Sequence, residues 1–513
     1  MKLGLTFPAF HDDFERKPET RAARVATWLE HAAHRDTPTA ARLIGDALAA
    51  LNRLDMSESR RSELIAQYWK TAQSLWTPLT GEFIRAPQPL RGEAQDAARA
   101  AITLASELSN AYKRMLETEA SKRLSLGGPR LMTALVRRSL QSGARVLVNC
   151  YLSYSPVPPQ TWHDLHAIYA FARSRNLHQA PRDPDAGDST PEDIYVRSLL
   201  LALANPYGLF PNQIETAIRY LAEYSHNAKL TDVAPVHRMA KAVAIVPIGH
   251  DFPPFSANKG GSINGTKLFL TTFDLAFALQ EQLKKLENGG NPPAGFRPGL
   301  PYRARNLTLL RRLLRQWAIP PARQFSRLPS RGRVIALAGF MNAWHGGRAD
   351  DMRAMAGHPD LPPPTTCQIL NQTPGGYALR QIAATPSSLR IGDLITLRVE
   401  GKPGLQIAVV RWFRNTPTGT ALEFGCELVS DSPRTGTAAA DDSAEHTPTP
   451  VVVLPGDPLG PDAQADQVIV PTSAFGLEQA VGIWHDQGKR LVVLTKLVDH
   501  GPDYEIYEFA AVG

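Results

Sequence analysis

Through the first half of the chain, apolar residues recur at three- and four-residue spacing, the period of an amphipathic helix. In 100–116, Leu104, Leu108, Ala111 or Tyr112, and Met115 repeat this way, with Glu107, Lys113 and Arg114 between them. Leu131, Leu135, Val136 and Leu140 repeat it again. Capping side chains ahead of first-turn prolines mark two helix starts, Asp36-Thr37-Pro38 and Thr190-Pro191-Glu192-Asp193. Polar, proline-rich 178–193 reads as an exposed loop. The segment 161–174 has the Trp, Leu, Tyr, Ala spacing of a tetratricopeptide first helix. No second copy follows at a period of about 34, so the pattern predicts a plain bundle or irregular helical array.

Near Val243 the period changes. VAIVPIG (243–249) reads as a buried strand, and 267–286 mixes strand and helix signals. From 334 onward, short β-branched runs alternate with turns: VIALAGF, CQIL, GYALRQI, LITLRVE, QIAVVRWF and LEFGCELV. Segment 431–450 has almost no large apolar residues and reads as a flexible linker. Five further β-rich runs follow it, as a partner sheet or a second small barrel. The expected fold class is therefore α+β and multi-domain: an all-α helical region, a small β-barrel, and a further C-terminal β segment. The expected boundaries are 1–290 helical, 291–333 arginine-rich arm, 334–430 barrel, 431–450 linker and 451–513 β segment.

Composition narrows the class. With 513 residues and 43% hydrophobic content the chain can bury several cores. Cys150, Cys367 and Cys426 are too few and too scattered for a disulfide framework, which points to a reducing compartment. The start meets Asp12 and Asp13 too soon for a secretory signal, and no run approaches the length of a membrane span. The expectation is a cytoplasmic protein without a membrane span.

Enzymatic signatures fail on inspection. Gly260 to Lys267 has phosphate-loop glycine spacing, but Thr266 precedes Lys267 where that loop needs lysine first, and no helix start follows. His31/His34 and His163/His166 are each one helical turn apart without a third ligand nearby. No nucleophile elbow or paired-histidine zinc helix occurs. The expectation is no catalytic activity, no catalytic residues, no metal and no cofactor.

The net charge of +7 matters only where it is concentrated. Residues 297–333 hold ten arginines with no lysine, aspartate or glutamate. Arginine's planar fork binds phosphate bidentately and stacks on flat rings. Asn306 to Trp317 reads as an amphipathic helix with Leu309, Leu310, Leu313, Leu314 and Trp317 on its apolar side; its arginines are equally a solvated face. Pro320, Pro321 and Pro329 exclude helix from the later part, which reads as an extended arm entering the β region.

Arg323-Gln-Phe-Ser-Arg327-Leu-Pro, a first strand VIALAGF, and Asn371-Gln-Thr373-Pro-Gly-Gly376 follow one another in that order. With the later strands LRIGDLITLR, QIAVVRWFR and LEFGCELV, this stretch of about 323–430 resembles the PilZ family. That family is marked by Arg-x-x-x-Arg ahead of the barrel and (Asp/Asn)-x-Ser-x-x-Gly within it. Here Thr373 replaces the serine, Pro374 stiffens the loop, and 342–364 is an apparent insertion. The resemblance implies a receptor for cyclic di-GMP, a dinucleotide with two phosphates and two guanines. Arg323 and Arg327 would wrap phosphates and guanine faces, with Arg331 as the alternative register. Asn371 would bond a base edge, Thr373 would offer a hydroxyl, and Gly376 would let backbone approach closely. The Asn and Gly are equally ordinary hairpin-turn residues. The output would pass from the helical region to a protein partner. The alternatives are a nucleic-acid-binding protein using the same arginines, disfavoured by their few interleaved aromatics, and a barrel that binds only protein.

Overall fold

The computed structural model describes all residues except 1, 12, 15, 16, 123–127, 181–188, 236–241, 258–263, 319–326, 347–361, 383–388, 417–420, 441–447, 457–464, 486, 487 and 513. The chain divides into two units, Met1–Arg323 and Gln324–Gly513.

The first unit opens with eight helices: α1 (Ala22–Ala33), α2 (Thr37–Arg53), α3 (Glu58–Ile84), α4 (Gly92–Ser121), α5 (Gly128–Leu152), α6 (Thr161–Ser174), α7 (Pro191–Leu203) and α8 (Pro211–Tyr224). Both expected starts are real. Asp36 accepts from the Thr39 amide, and Thr190 and Asp193 close a reciprocal capping box. Helix α4 is the axis, with α2, α3 and α5 packed on it. Its apolar positions form one broad face: Ala101, Leu104, Leu108, Ala111 and Leu116 are all buried. Side-chain amides cross between the helices, Asn149 donating to the Ala101 carbonyl at 2.9 Å and Asn52 to that of Glu107 at 2.8 Å. A buried Lys113–Asp164 pair at 2.7 Å ties α4 to α6.

Four short antiparallel strands follow, β1 (Lys229–Thr231), β2 (Val243–Val246), β3 (Phe255–Ser256) and β4 (Leu268–Thr271), in the order β1-β4-β2-β3. VAIV is thus a strand as expected, and the residues after Lys267 are strand rather than helix. The unit ends with α9 (Phe273–Glu287) and α10 (Leu300–Trp317). Leu309, Leu310, Leu313 and Trp317 of α10 are buried, and the Trp317 indole donates to the Leu200 carbonyl at 3.0 Å. The 291–333 stretch taken as one arm is therefore split. Its leucine-rich half is a packed helix of the first unit because an apolar face at helical period outweighs its charge.

The second unit holds two closed barrels. The first comprises β5 (Leu328–Pro329), β6 (Arg333–Ala338), α11 (Phe340–Gly346), β7 (Thr365–Thr373), β8 (Gly376–Gln381), β9 (Leu394–Val399), β10 (Gln406–Asn415) and β11 (Leu422–Ser430). The strand order is β5-β7-β6-β9-β10-β11-β8, and pairing of β8 back onto β7 closes it. The second comprises β12 (Arg434–Ala440), β13 (Thr449–Leu454), β14 (Gln467–Pro471), β15 (Ala480–His485), β16 (Gly488–His500) and β17 (Tyr504–Ala511), closed in the order β12-β13-β14-β17-β16-β15.

Part of the linker expected over 431–450 is strand, since Arg434–Ala440 pairs with both β13 and β15, and 441–447 lie outside the described residues. Large side chains would not fit there, since a Cβ on Gly436 would run into the Trp484 carbonyl oxygen. The small residues that read as linker are what lets the barrel close. The start of the apparent insertion is α11, whose Trp344 indole donates to the Gly436 carbonyl at 2.7 Å. Phe340, Leu394, Ile407 and Val409 of the first barrel share one core with Val452, Ile469, Tyr504 and Ile506 of the second.

Candidate functional site

The Asn371–Gly376 motif is a hairpin end. Strand β7 runs into a turn at Pro374-Gly375 and returns as β8, with Thr373 opposite Gly376 and Asn371 opposite Ala378. A register shift between Ile369 and Asn371 breaks the regular alternation at the motif. Asn371 and Thr373 are half-buried, and Thr373 Oγ1 donates to the Gly376 carbonyl at 3.4 Å. Gly376 has φ +148° and pairs with Glu427 of β11. A Cβ there would strike the Cys426 carbonyl oxygen, so the glycine admits the neighbouring strand.

The arm's end docks on this hairpin. Leu328 pairs with Gln372 and Pro329 with Asn371, which extends β7 beyond the edge it shares with β6. Continuing that antiparallel register by one residue sets Arg327 opposite Thr373. Arg327 and Arg331 are exposed, on either side of β5. Arg327, Asn371, Thr373 and Gly376, distant in sequence, therefore meet at one corner of the first barrel. Arg323 lies outside the described residues.

The rest of the arginine run differs. On α10, Arg311 pairs with Glu287 at 2.8 Å, Arg303 donates to the Glu287 carbonyl at 3.1 Å, and Arg312 to the Gly208 carbonyl at 3.3 Å. These three cations bond groups within the first unit.

A second set of charges near the hairpin has no counterpart in the sequence reading. Glu427, opposite Gly376, accepts from Arg411 at 2.6 Å, and Arg411 also reaches Asp499 of β16 at 2.7 Å. Burial lowers the Arg411 pKa, but Asp499 and Glu427 outweigh it and hold the guanidinium above its ordinary range. Glu423 of β11 is clamped by Arg380 at 2.6 Å and Arg414 at 2.8 Å. Burial pushes its carboxyl up, and the two arginines bring it below the usual range.

The histidine pairs do not gather ligands. Both ring nitrogens of His166 are engaged, with the Tyr195 hydroxyl at 2.5 Å and the Phe252 carbonyl at 3.0 Å, and burial brings its pKa down to about 4. Among the described residues no group of three or more His, Cys, Asp or Glu is placed to hold a metal ion. Cys150, Cys367 and Cys426 are buried free thiols, each pushed up by burial to about 12. No described helix is long and apolar enough to cross a membrane.

Comparison with known proteins finds matches to two parts of the chain. Residues 22–235 match the family "Cyclic-di-GMP receptor FimW, N-terminal domain", and 346–434 match "Cyclic-di-GMP receptor FimW, middle PilZ domain". The cyclic-di-GMP receptor FimW of Pseudomonas aeruginosa is 22% identical over 472 residues, covering 79% of this chain and 76% of that protein. No solved structure matches. The PilZ-domain match spans β7 to β11 of the first barrel, the closing hairpin included, and this part of the chain is similar to the PilZ domain of a cyclic-di-GMP receptor.

Proposed function

We propose that this chain is a cytoplasmic, non-catalytic receptor for cyclic di-GMP. Arg323 and Arg327 bind its phosphates and guanine faces, Arg331 flanks them, and Asn371 and Thr373 meet a base edge. Gly376 fixes the hairpin, and the helical unit passes the signal to a protein partner. The observation that carries this reading is the pairing of Leu328-Pro329 with Asn371-Gln372, which brings a guanidinium-bearing arm to the motif. Guanidinium forks beside amide and hydroxyl groups suit a ligand with two phosphates and two purine edges. DNA is disfavoured because the arginine-rich stretch carries few interleaved aromatics, only Tyr302, Trp317 and Phe325.

Calorimetric titration of the full chain tests the reading. Cyclic di-GMP should bind saturably and in preference to GTP, cyclic AMP and short DNA. A charged hydrogen bond is worth about 1.5–3 kcal/mol, so Arg327→Ala should weaken binding about ten- to a hundredfold. DNA binding tighter than dinucleotide binding at physiological salt would overturn it.

A further inference from the structure

A cavity of about 370 Å³ lies inside the helical bundle of the first unit, between α4, α5 and α6. Segment 3–8 straps across it and lines it through Thr6, Phe7 and Pro8. Side chains of the bundle hold the strap by its backbone. Glu117 accepts from the amides of Leu3 and Leu5 at 2.8 and 3.2 Å, and Asp164 accepts from that of Thr6 at 3.1 Å. Arg114 donates to the Pro8 carbonyl. Thr6 and Pro159 are the exposed lining residues, so the mouth opens between the strap and the approach to α6.

The lining breaks the pattern of a bundle core. Ser106, Ser109, Asn110 and Lys113 recur at three- and four-residue spacing along α4, so one helical face turns polar groups onto the cavity. Lys113 and Asp164 are 8% and 3% exposed and pair at 2.7 Å. That bond does not exhaust them. Among the described residues Lys113 spends one of its three N–H groups on Asp164, and Asp164 Oδ2 accepts from Lys113 alone. Ser139 of α5 also lines the cavity, fully buried, and its hydroxyl has no hydrogen-bond partner among the described residues. Ser142, one turn on, shows the ordinary solution by donating to the Arg138 carbonyl of its own helix at 2.8 Å. A buried hydroxyl without a partner is costly, and an acceptor arriving in the cavity would relieve that cost. Val146, Leu165 and Ile168 supply the apolar part of the lining.

We propose that this cavity binds a free apolar amino acid as its zwitterion. The carboxylate accepts from the Lys113 ammonium and the Ser139 hydroxyl, the ammonium donates to Asp164 Oδ2, and the side chain packs on Val146, Leu165 and Ile168. Charge decides the class. Lys113 and Asp164 cancel, so a singly charged ligand would bring an uncompensated charge into a buried site, whereas a zwitterion brings none. An uncharged ligand would leave the spare valences of both ions facing weaker dipoles. Size agrees, since the cavity lies at the small end of the roughly 300–1,000 Å³ range of ligand pockets. The inference stands apart from the dinucleotide reading and shares no residue with it.

The test is calorimetric titration of the full chain with L-valine, L-leucine and L-phenylalanine in turn. At least one should bind saturably, and at least about tenfold more tightly than three of its own derivatives. These are the N-acetyl acid, the amide and the N-acetyl amide, which carry only the negative charge, only the positive charge and neither. Ser139→Ala should weaken that binding about tenfold. Its circular dichroism spectrum should be unchanged and its melting temperature no lower, because the hydroxyl removed bonds nothing among the described residues. Ser109→Leu, which fills the cavity from α4, should abolish binding with the same spectrum. Should Ser109→Leu fail to fold, Ser139→Ala alone decides. No saturable binding by any of the three, a derivative that matches its parent amino acid, or a folded Ser139→Ala chain that binds undiminished would overturn the proposal.

Discussion

The two barrels of Gln324–Gly513 close by the same rule and are equipped for different work. The second is lined by Val451, Val453, Val468, Val481, Ile483 and Val492, with small residues where strands crowd. The first has an equally buried interior, but its rim is irregular. Its closing hairpin carries half-buried Asn371 and Thr373 after a register shift, and a short extra strand brings arginines beside them. Closure asks only for apolar alternation and a glycine at the tightest approach. In the proposed reading, ligand capacity comes from what the chain adds at one rim, and among the described residues the first barrel has that addition.

The strongest way to break the comparison is at the closing glycines. Gly376→Val adds a side chain at φ +148° and against the Cys426 carbonyl. It should cost more than about 4 kcal/mol and unfold the first barrel, as read by denaturant titration. Gly436→Val should damage the second barrel comparably. An unchanged midpoint for Gly376→Val would refute the close approach of β8 and β11 at Gly376.

A smaller effect separates the barrels by pH. Burial, reinforced by Asp503, pushes the Asp393 carboxyl from 3.8 up to about 7, against the Arg390 amide that favours its charge. The folded state therefore holds this proton more tightly than the unfolded chain. Stability should fall as pH rises from about 4 to 7, by at most about 4 kcal/mol. Asp393→Asn should flatten that slope and stabilise the chain at pH 8. A thermal melting series with the same slope in both proteins would contradict the assignment.

How much of this was legible depends on what each residue had to do. The capping box at Thr190 and the apolar face of α10 are local patterns, and reading them needed no partner. The same held for the order of Arg327, Asn371 and Gly376. Strand β12 was hidden because Thr435-Gly436-Thr437-Ala438 lacks the bulky residues that mark strands. Its packing against Trp484 and Trp344 forbids them. The Arg411 bridge was hidden for another reason: Glu427 and Asp499 lie 16 and 88 residues away.

Arg411→Ala should sharpen the comparison next. It strips Glu427 and Asp499 of their shared cation, and with Arg411 about one-third exposed the cost should be about 1–2 kcal/mol. Arg411→Lys, a point charge without the fork, should restore only part of it. Smallest is Arg311→Ala on α10, which loses an exposed pair with Glu287. It should change stability by less than about 1 kcal/mol and leave cyclic di-GMP affinity unaltered. A tenfold loss of affinity there would merge the helical and arm arginines into one surface.

The most direct measurement of the central claim is amide hydrogen exchange on the full chain with and without saturating cyclic di-GMP. The account predicts slowed exchange in 327–333 and 371–376, with β14 and β17 of the second barrel unchanged as an internal reference. Protection confined to the second barrel or to the helical unit, with the arm and hairpin unaffected, would contradict it.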